Sequence, residues 1–396
     1  MSPFPAPALR LSLLALLLTG CFSFRREAQR PGGTDLGSHE VVLPALLVDN
    51  TLIVEAKWDR FGPYHFLLDT GSADTLVTRE LADRYGNAGA LPPGAPEVQL
   101  QSSDGRTTVL PPAVLERIEL GRARFRNVPV LVYDCSALSG QYGVKIDGVL
   151  GFPLFRKTVL TLDYPRRRVI LRRPDPEGKP APGASLSFNN SSKTPLVPIR
   201  IADRTFIALV DSGSDQTLSI NPVGLSLRFA SGPTEGRTVG TLAGDRIEAV
   251  GRLADTLVIG DTAVPRPTVE VIDELSSLGG GILRYFTITF DQEDDRVTFQ
   301  RDTAEPIVLP AERITGLSFS KSAPYWRVVG VVPGSPADAA EVEPGDLVTR
   351  IDGEPVSRWD VGRFERLNRE AASIVFTFLN GATETSKRLK VVDQVP

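Results

Sequence analysis

Two carboxylates stand in the same short context, Phe66-Leu67-Leu68-Asp69-Thr70-Gly71-Ser72 and Ala208-Leu209-Val210-Asp211-Ser212-Gly213-Ser214. In each, an ionisable Asp closes an apolar strand-like triplet. The hydroxyl residue and glycine that follow let the backbone turn sharply and approach something closely. Two such carboxylates within a few Å of each other cannot both ionise cheaply, so the pair would hold one proton. The ionised member would take a proton from water while the protonated one polarises a carbonyl. Other chemistry has little to work with. The chain has 2 His (His39, His65) and 2 Cys (Cys21, Cys135), too few for the usual zinc ligand sets, so no metal and no cofactor is expected. His65, with same-face parity to Asp69 on the incoming strand, reads as a strand histidine. Gly279-Gly280-Gly281 lacks the Lys-Ser/Thr of a phosphate loop.

The elements that must position the two Asp residues form a repeat. After Asp69 come Ile118-Glu119-Leu120-Gly121, Val149-Leu150-Gly151, Leu162-Asp163 and Arg168-Val169-Ile170; after Asp211 come Leu257-Val258-Ile259-Gly260, Ile282-Leu283, Phe290-Asp291 and Arg296-Val297-Thr298. The intervals Asp69 to Gly121 and Asp211 to Gly260 are 52 and 49 residues. A hairpin feeds each Asp strand, Ala45 to Lys57 with Tyr64 to Leu68 in the first copy and Leu196 to Ile201 with Thr205 to Val210 in the second. A further hairpin tip, Ser103-Asp104-Gly105-Arg106 or Ala243-Gly244-Asp245-Arg246, suits a movable flap. The Pro-rich stretch 174–184 separates the copies.

The paired loops resemble those of the aspartic peptidases, both the two-lobed pepsin-like and the retropepsin-like enzymes, over roughly residues 41–301. The resemblance implies a mainly β fold of two tandem acid-protease-like β lobes. It makes Asp69 and Asp211 the catalytic pair acting on protein or peptide substrates. It places Thr70 and Ser212 where hydroxyls cross-brace the loops and Gly71 and Gly213 where loop amides approach the carboxylates. Ser72 and Ser214 fall where a hydroxyl bonds the outer carboxylate oxygen, which would put the pH optimum on the acid side of neutrality. Gly151 closes the segment that supports the first loop from beneath. In the second copy Arg284 follows Ile282-Leu283 where the first has Gly151. Pointing at the pair, Arg284 would ionise both Asp residues and leave a non-catalytic peptide-binding lipoprotein with a degenerate second loop; pointing outward, it would anchor a surface ion pair. A dimer in which each chain supplies one Asp is disfavoured because this chain holds both loops, and a monomer is expected.

The ends of the chain add two features. An eight-residue apolar run from Leu11 to Leu18 is too short to span a membrane and reads as the core of a signal peptide. Leu18-Thr19-Gly20-Cys21 resembles a bacterial lipobox, implying lipidation at Cys21, a membrane anchor, and a place in the cell envelope facing the periplasm or the cell surface. From Glu312, Gly316-Leu317-Ser318-Phe319, Pro333-Gly334-Ser335-Pro336-Ala337 and Pro344-Gly345-Asp346-Leu347-Val348 resemble the PDZ-type β/α domain of bacterial envelope proteases. There the amides of Leu317, Ser318 and Phe319 would hold a peptide C-terminal carboxylate, with Phe364 and Leu367 lining the groove. The expected organisation is therefore 1–20 signal peptide, 21–40 flexible tether, 41–173 lobe 1, 174–184 linker, 185–301 lobe 2 and 312–396 PDZ domain. With 44 basic against 48 acidic residues and no long basic run, the chain has little footprint for nucleic acid.

Overall fold

A computed structural model describes residues 30–396 except 59–60, 92–96, 102–106, 176–179, 190–192, 242–243 and 323. The signal segment, Cys21 and both flap tips therefore fall wholly or partly outside the described residues. Among the described residues no helix is long and apolar enough to cross a membrane.

Lobe 1 opens with three consecutive antiparallel strands, Val41–Val48, Thr51–Trp58 and Phe61–Asp69. The first turn is only two residues, Asp49 and Asn50, both at positive φ (43° and 61°), a conformation these short polar side chains tolerate. The strand Gly148–Gly151 runs parallel to Phe61–Asp69 and sets Gly151 opposite Asp69. Lobe 2 repeats this with fewer residues. Leu196–Ile201 and Arg204–Val210 form the hairpin, and Ser277–Leu278 runs parallel to the second strand, with Leu278 opposite Val210.

The lobes are joined by one sheet. The strands run in the order Val41–Val48, Arg168–Arg172, Val159–Asp163, Thr287–Asp291, Arg296–Gln300, Ala184–Ser187. At its centre Thr161 pairs with Thr289 and their buried hydroxyls meet at 3.0 Å. These two threonines occupy equivalent places in the repeat, so the pseudo-twofold axis passes between them. The same alternation that makes these strands apolar on one face packs Phe152 against Phe290 and Phe188 across the lobes. Phe152 is fully buried, so Phe152→Ala would cost about 3–5 kcal/mol and loosen the lobes together.

The segment read as a tether is partly structured. Gly33–Asp35 pairs with Ala123–Val132 of lobe 1, and Leu36 beside it is buried. A short strand that satisfies its backbone on an existing edge and buries one leucine needs no periodic pattern, which is why composition alone suggests a free linker there. The flap hairpins are present as Val98–Gln101 with Thr107–Leu110 and as the longer Phe229–Thr241 with Gly244–Leu253. The C-terminal module has its own core of Phe319, Trp326, Phe364, Phe376 and neighbours. Its sheet ends on the strand Leu317–Ser322.

Candidate active site

Each catalytic-type loop leaves its strand at the Asp and folds back on it. The amides of Gly71 and Ser72 donate to Asp69 Oδ1 at 2.8 and 3.1 Å, and those of Gly213 and Ser214 donate to Asp211 Oδ1 at 3.0 and 3.2 Å. The loops are locked to each other by four reciprocal bonds. The Thr70 amide donates to Ser212 Oγ at 3.0 Å, and that hydroxyl donates to the Leu68 carbonyl at 2.8 Å. The Ser212 amide donates to Thr70 Oγ1 at 3.0 Å, and this hydroxyl donates to the Val210 carbonyl at 2.5 Å. Both hydroxyl residues are fully buried, so each oxygen must give and receive a bond, and here each does.

The brace brings the two carboxyls together. A Cβ added at Gly71 would lie 2.6 Å from Asp211 Cγ, and one added at Gly213 would lie 2.4 Å from Asp69 Cγ. Each glycine is thus the seat of the other lobe's carboxylate. Burial raises both carboxyls above their usual range, and for Asp69 the charge of Asp211 and the hydrogen bond between the two push it well above, against the pull of the Gly71 and Ser72 amides. For Asp211 the amide of Gly213 and the bond with Asp69 act the other way. Held this close and buried, the two carboxyls favour sharing one proton over ionising together.

The serine hydroxyls take no part in this. Ser72 Oγ donates to the Asp74 carbonyl at 2.7 Å and Ser214 Oγ accepts from the Gln216 amide at 3.3 Å, so the expected contact with the outer carboxylate oxygens is replaced by turns within each loop. The polar help to the carboxylates comes from the backbone amides of Gly71, Ser72, Gly213 and Ser214, those of the two glycines where the resemblance implies them.

The support beneath the second loop also differs from expectation. Gly151 approaches the Asp74 carbonyl and the Phe152 amide donates to the Ser72 carbonyl at 3.0 Å. In lobe 2 the same relations are made by Gly279, which approaches the Gln216 carbonyl, and by the Gly280 amide, which donates to the Ser214 carbonyl at 2.7 Å. The counterpart of Val149-Leu150-Gly151 is therefore Ser277-Leu278-Gly279, not Ile282-Leu283-Arg284. Arg284 corresponds to Arg156, one turn further on. It is exposed and donates to Asn50 Oδ1 of lobe 1 at 2.8 Å, while Arg156 reaches Asp295 of lobe 2 at 3.7 Å. Both arginines tie lobe to lobe, and Arg284 gives no ground for a disabled second loop.

The remaining residues of interest have structural surroundings. The backbone of His65 exchanges bonds with Asp147, its amide donating to Asp147 Oδ2 and its carbonyl accepting from the Asp147 amide. Cys135 is buried, and burial pushes its thiol up to about 12, so it is no nucleophile. No cluster of three or more His, Cys, Asp or Glu suited to a metal occurs among the described residues.

In the C-terminal module Leu317, Ser318 and Phe319 begin the edge strand, with a bulge between Ser318 and Phe319. Phe319 and Phe364 turn inward and pack in edge-on and tilted contacts with Trp326 and Phe376, so Phe364 belongs to the core rather than to the groove. Leu367 is only partly buried against that core.

Residues 54–154 match the aspartyl protease family, a span holding the Asp69 loop and its supporting strand, and residues 327–377 match the PDZ domain family. No curated protein matches the chain. Asp211 and the rest of lobe 2 lie outside both matched spans, and it is the pseudo-twofold correspondence of backbone contacts that relates them to lobe 1. The chain carries an aspartyl protease domain and a C-terminal PDZ domain in a mainly β frame.

Proposed function

We propose that the chain is an envelope-anchored aspartic endopeptidase whose Asp69–Asp211 pair activates water, with a PDZ domain that binds peptide C-termini. The observation that carries the reading is the mutual seating of two carboxyls against the opposing loop's glycine within a reciprocal hydroxyl brace. A water between the carboxyls loses a proton to ionised Asp211 as its oxygen bonds to the scissile carbonyl carbon. Asp69 donates its proton to the carbonyl oxygen, giving a neutral tetrahedral diol. Collapse returns one hydroxyl proton to Asp69, delivers the Asp211 proton to the leaving nitrogen, and restores the starting pair. Hydrolysis of an unstructured protein such as reduced casein should be blocked by a hydroxyl-bearing peptide analogue of that diol and untouched by chelators or serine-directed reagents. Activity that chelators abolish and the analogue spares would overturn the reading.

Anchoring through a diacylated Cys21 supplies the two hydrophobic signals that stable membrane attachment needs, and places a monomeric enzyme at the periplasmic or outer face of the envelope. Cys21→Ser should then leave a soluble or unprocessed precursor. Identical processing and membrane fractionation of variant and wild type would refute the anchor.

A further inference from the structure

The free edge of a PDZ domain's groove strand is where a peptide would add, and here that place is not open. The strand Leu317–Ser322 pairs on one side with Tyr325–Val331 and on no other among the described strands. The helix Val361–Glu370 lies beside it, with Phe364 edge-on to Phe319 at 5.6 Å. Val361, which opens that helix, is buried outside its own domain's core. It packs with Cys135, Leu138, Tyr142 and Ile146 of lobe 1.

These partners lie on or beside the lobe 1 helix Ser136–Tyr142, which lies against the groove strand. Lys321 of that strand donates to the Gln141 carbonyl at 3.4 Å, and a Cβ at Gly143 would stand 3.3 Å from Val361 Cγ2. A second element enters from the tight turn of the first hairpin. Asp49 Oδ2 stands 3.5 Å from Lys321 Nζ, and both side chains are about one-seventh exposed, at 14% and 13%. Glu365 of the groove helix shares the spot: burial and the Asp49 carboxylate lift it to about 9, against the nearby charges of Lys321 and Arg369.

The lobe 1 helix is an addition to the repeat. From the turn glycine to the loop-supporting glycine lobe 1 has 30 residues (Gly121 to Gly151), whereas lobe 2 has 19 (Gly260 to Gly279). The extra length sits where the PDZ domain docks, not where the catalytic loops are held. The docked turn is continuous with the catalytic region, because Asn50, next to Asp49, donates to the Asp215 carbonyl at 2.9 Å, four residues beyond Asp211.

We infer that lobe 1 is the resting occupant of the PDZ groove, and that a peptide with a free C-terminus and an acidic side chain a short way upstream takes the groove by displacing it. The acidic residue replaces Asp49 at Lys321, and the peptide backbone replaces the Ser136–Tyr142 helix at the strand edge. The inference rests on the peptide-binding reading of the PDZ domain. Affinity for such a peptide is then lowered by the fraction of molecules in which the groove is open.

The test uses the full chain and two readouts. Asp49→Asn keeps a residue that tolerates positive φ and removes the charge from Lys321; Glu365→Gln removes a carboxyl that must be protonated beside Asp49 at neutral pH. Amide hydrogen exchange at residues 136–143 and 317–322 should speed up in Asp49→Asn, by about tenfold, and slow in Glu365→Gln. The second readout is a positional-scanning set of fluorescein-labelled hexapeptides, with free or amidated ends, read by anisotropy. Free-ended acidic members should bind Asp49→Asn about tenfold more tightly than wild type, and amidation should abolish binding. Unchanged exchange in both variants, or equal peptide affinity for wild type and Asp49→Asn, overturns the inference. Faster exchange in Asp49→Asn without binding of any free-ended peptide retains the docking and overturns the peptide-binding reading on which the displacement step rests.

Discussion

Asp69→Asn and Asp211→Asn should each abolish peptide hydrolysis, by a factor on the order of 10⁴, and the double variant should be no worse than either single one, because the two carboxyls are expected to act as one unit. The activity of the unmodified pair should follow a bell in pH whose limbs belong to the pair. Its acid limb would mark the pair taking up a second proton, and its alkaline limb the loss of the one proton the two carboxyls share. Both groups are raised from the ordinary carboxylate value of 3.8, so both limbs lie above it, with the alkaline one well above. The serine hydroxyls that would have pulled the window toward acid are engaged elsewhere.

The same shifts fix a stability effect. A carboxyl whose folded pKa is raised binds its proton more tightly in the folded chain. Its contribution is complete below the unfolded value and is lost as pH rises through the folded value. At neutral pH the charged pair therefore weakens the fold, and either Asn variant should melt about 2–4 °C higher than wild type, a gain that vanishes near pH 3. A lower Tm at pH 7 in both variants, or full activity in Asp211→Asn, would show that the two residues do not form the coupled pair described above.

Much of this site was legible because its chemistry depends on side chains in a fixed local order. An apolar triplet, Asp, hydroxyl and Gly repeated twice names the loops, and the hydroxyls of Thr70 and Ser212 brace them as the resemblance implies. What misled the reading of lobe 2 was hydrophobicity used as a guide to support. Ile282-Leu283 looks more like Val149-Leu150 than Ser277-Leu278 does. Counting back from the shared Leu162-Asp163 and Phe290-Asp291 would have found the true match: Gly151 precedes Asp163 by 12 residues and Gly279 precedes Asp291 by 12. Arg156 and Arg284 then align, each 7 residues before its Asp. No local signal of that kind exists for the docking of the PDZ domain. Lys321, Asp49 and Glu365 are each ordinary surface residue types, and their burial follows from tertiary contact between segments far apart in sequence. The shared sheet between the lobes is hidden for the same reason, since strand pairing across the pseudo-twofold leaves no periodic mark.

The two loop glycines should prove as necessary to turnover as the carboxyls they face. At Gly213 an added Cβ would meet Asp69 Cγ at 2.4 Å and at Gly71 an added Cβ would meet Asp211 Cγ at 2.6 Å, distances no real Cβ sustains. Neither glycine stands at positive φ, so alanine is tolerable to the backbone and the whole conflict falls on the opposing carboxyl. That carboxyl must retreat by roughly 1 Å, and a displacement of this size in a reacting group costs on the order of 10²-fold in rate. Gly71→Ala and Gly213→Ala should therefore each lower kcat by about 10²–10³-fold with KM little changed, since the substrate-binding surfaces are not altered. Ser212→Ala tests the other half of the arrangement. It removes the acceptor of the buried Thr70 amide and should cost about 1–3 kcal/mol of stability, lowering Tm as well as rate. The two kinds of variant are thereby separated: the glycine changes displace a carboxyl without opening the core, and the serine change loosens the brace itself. Near wild-type kcat in Gly213→Ala would mean that the carboxyls do not need their close approach, and the dyad mechanism would fall with it.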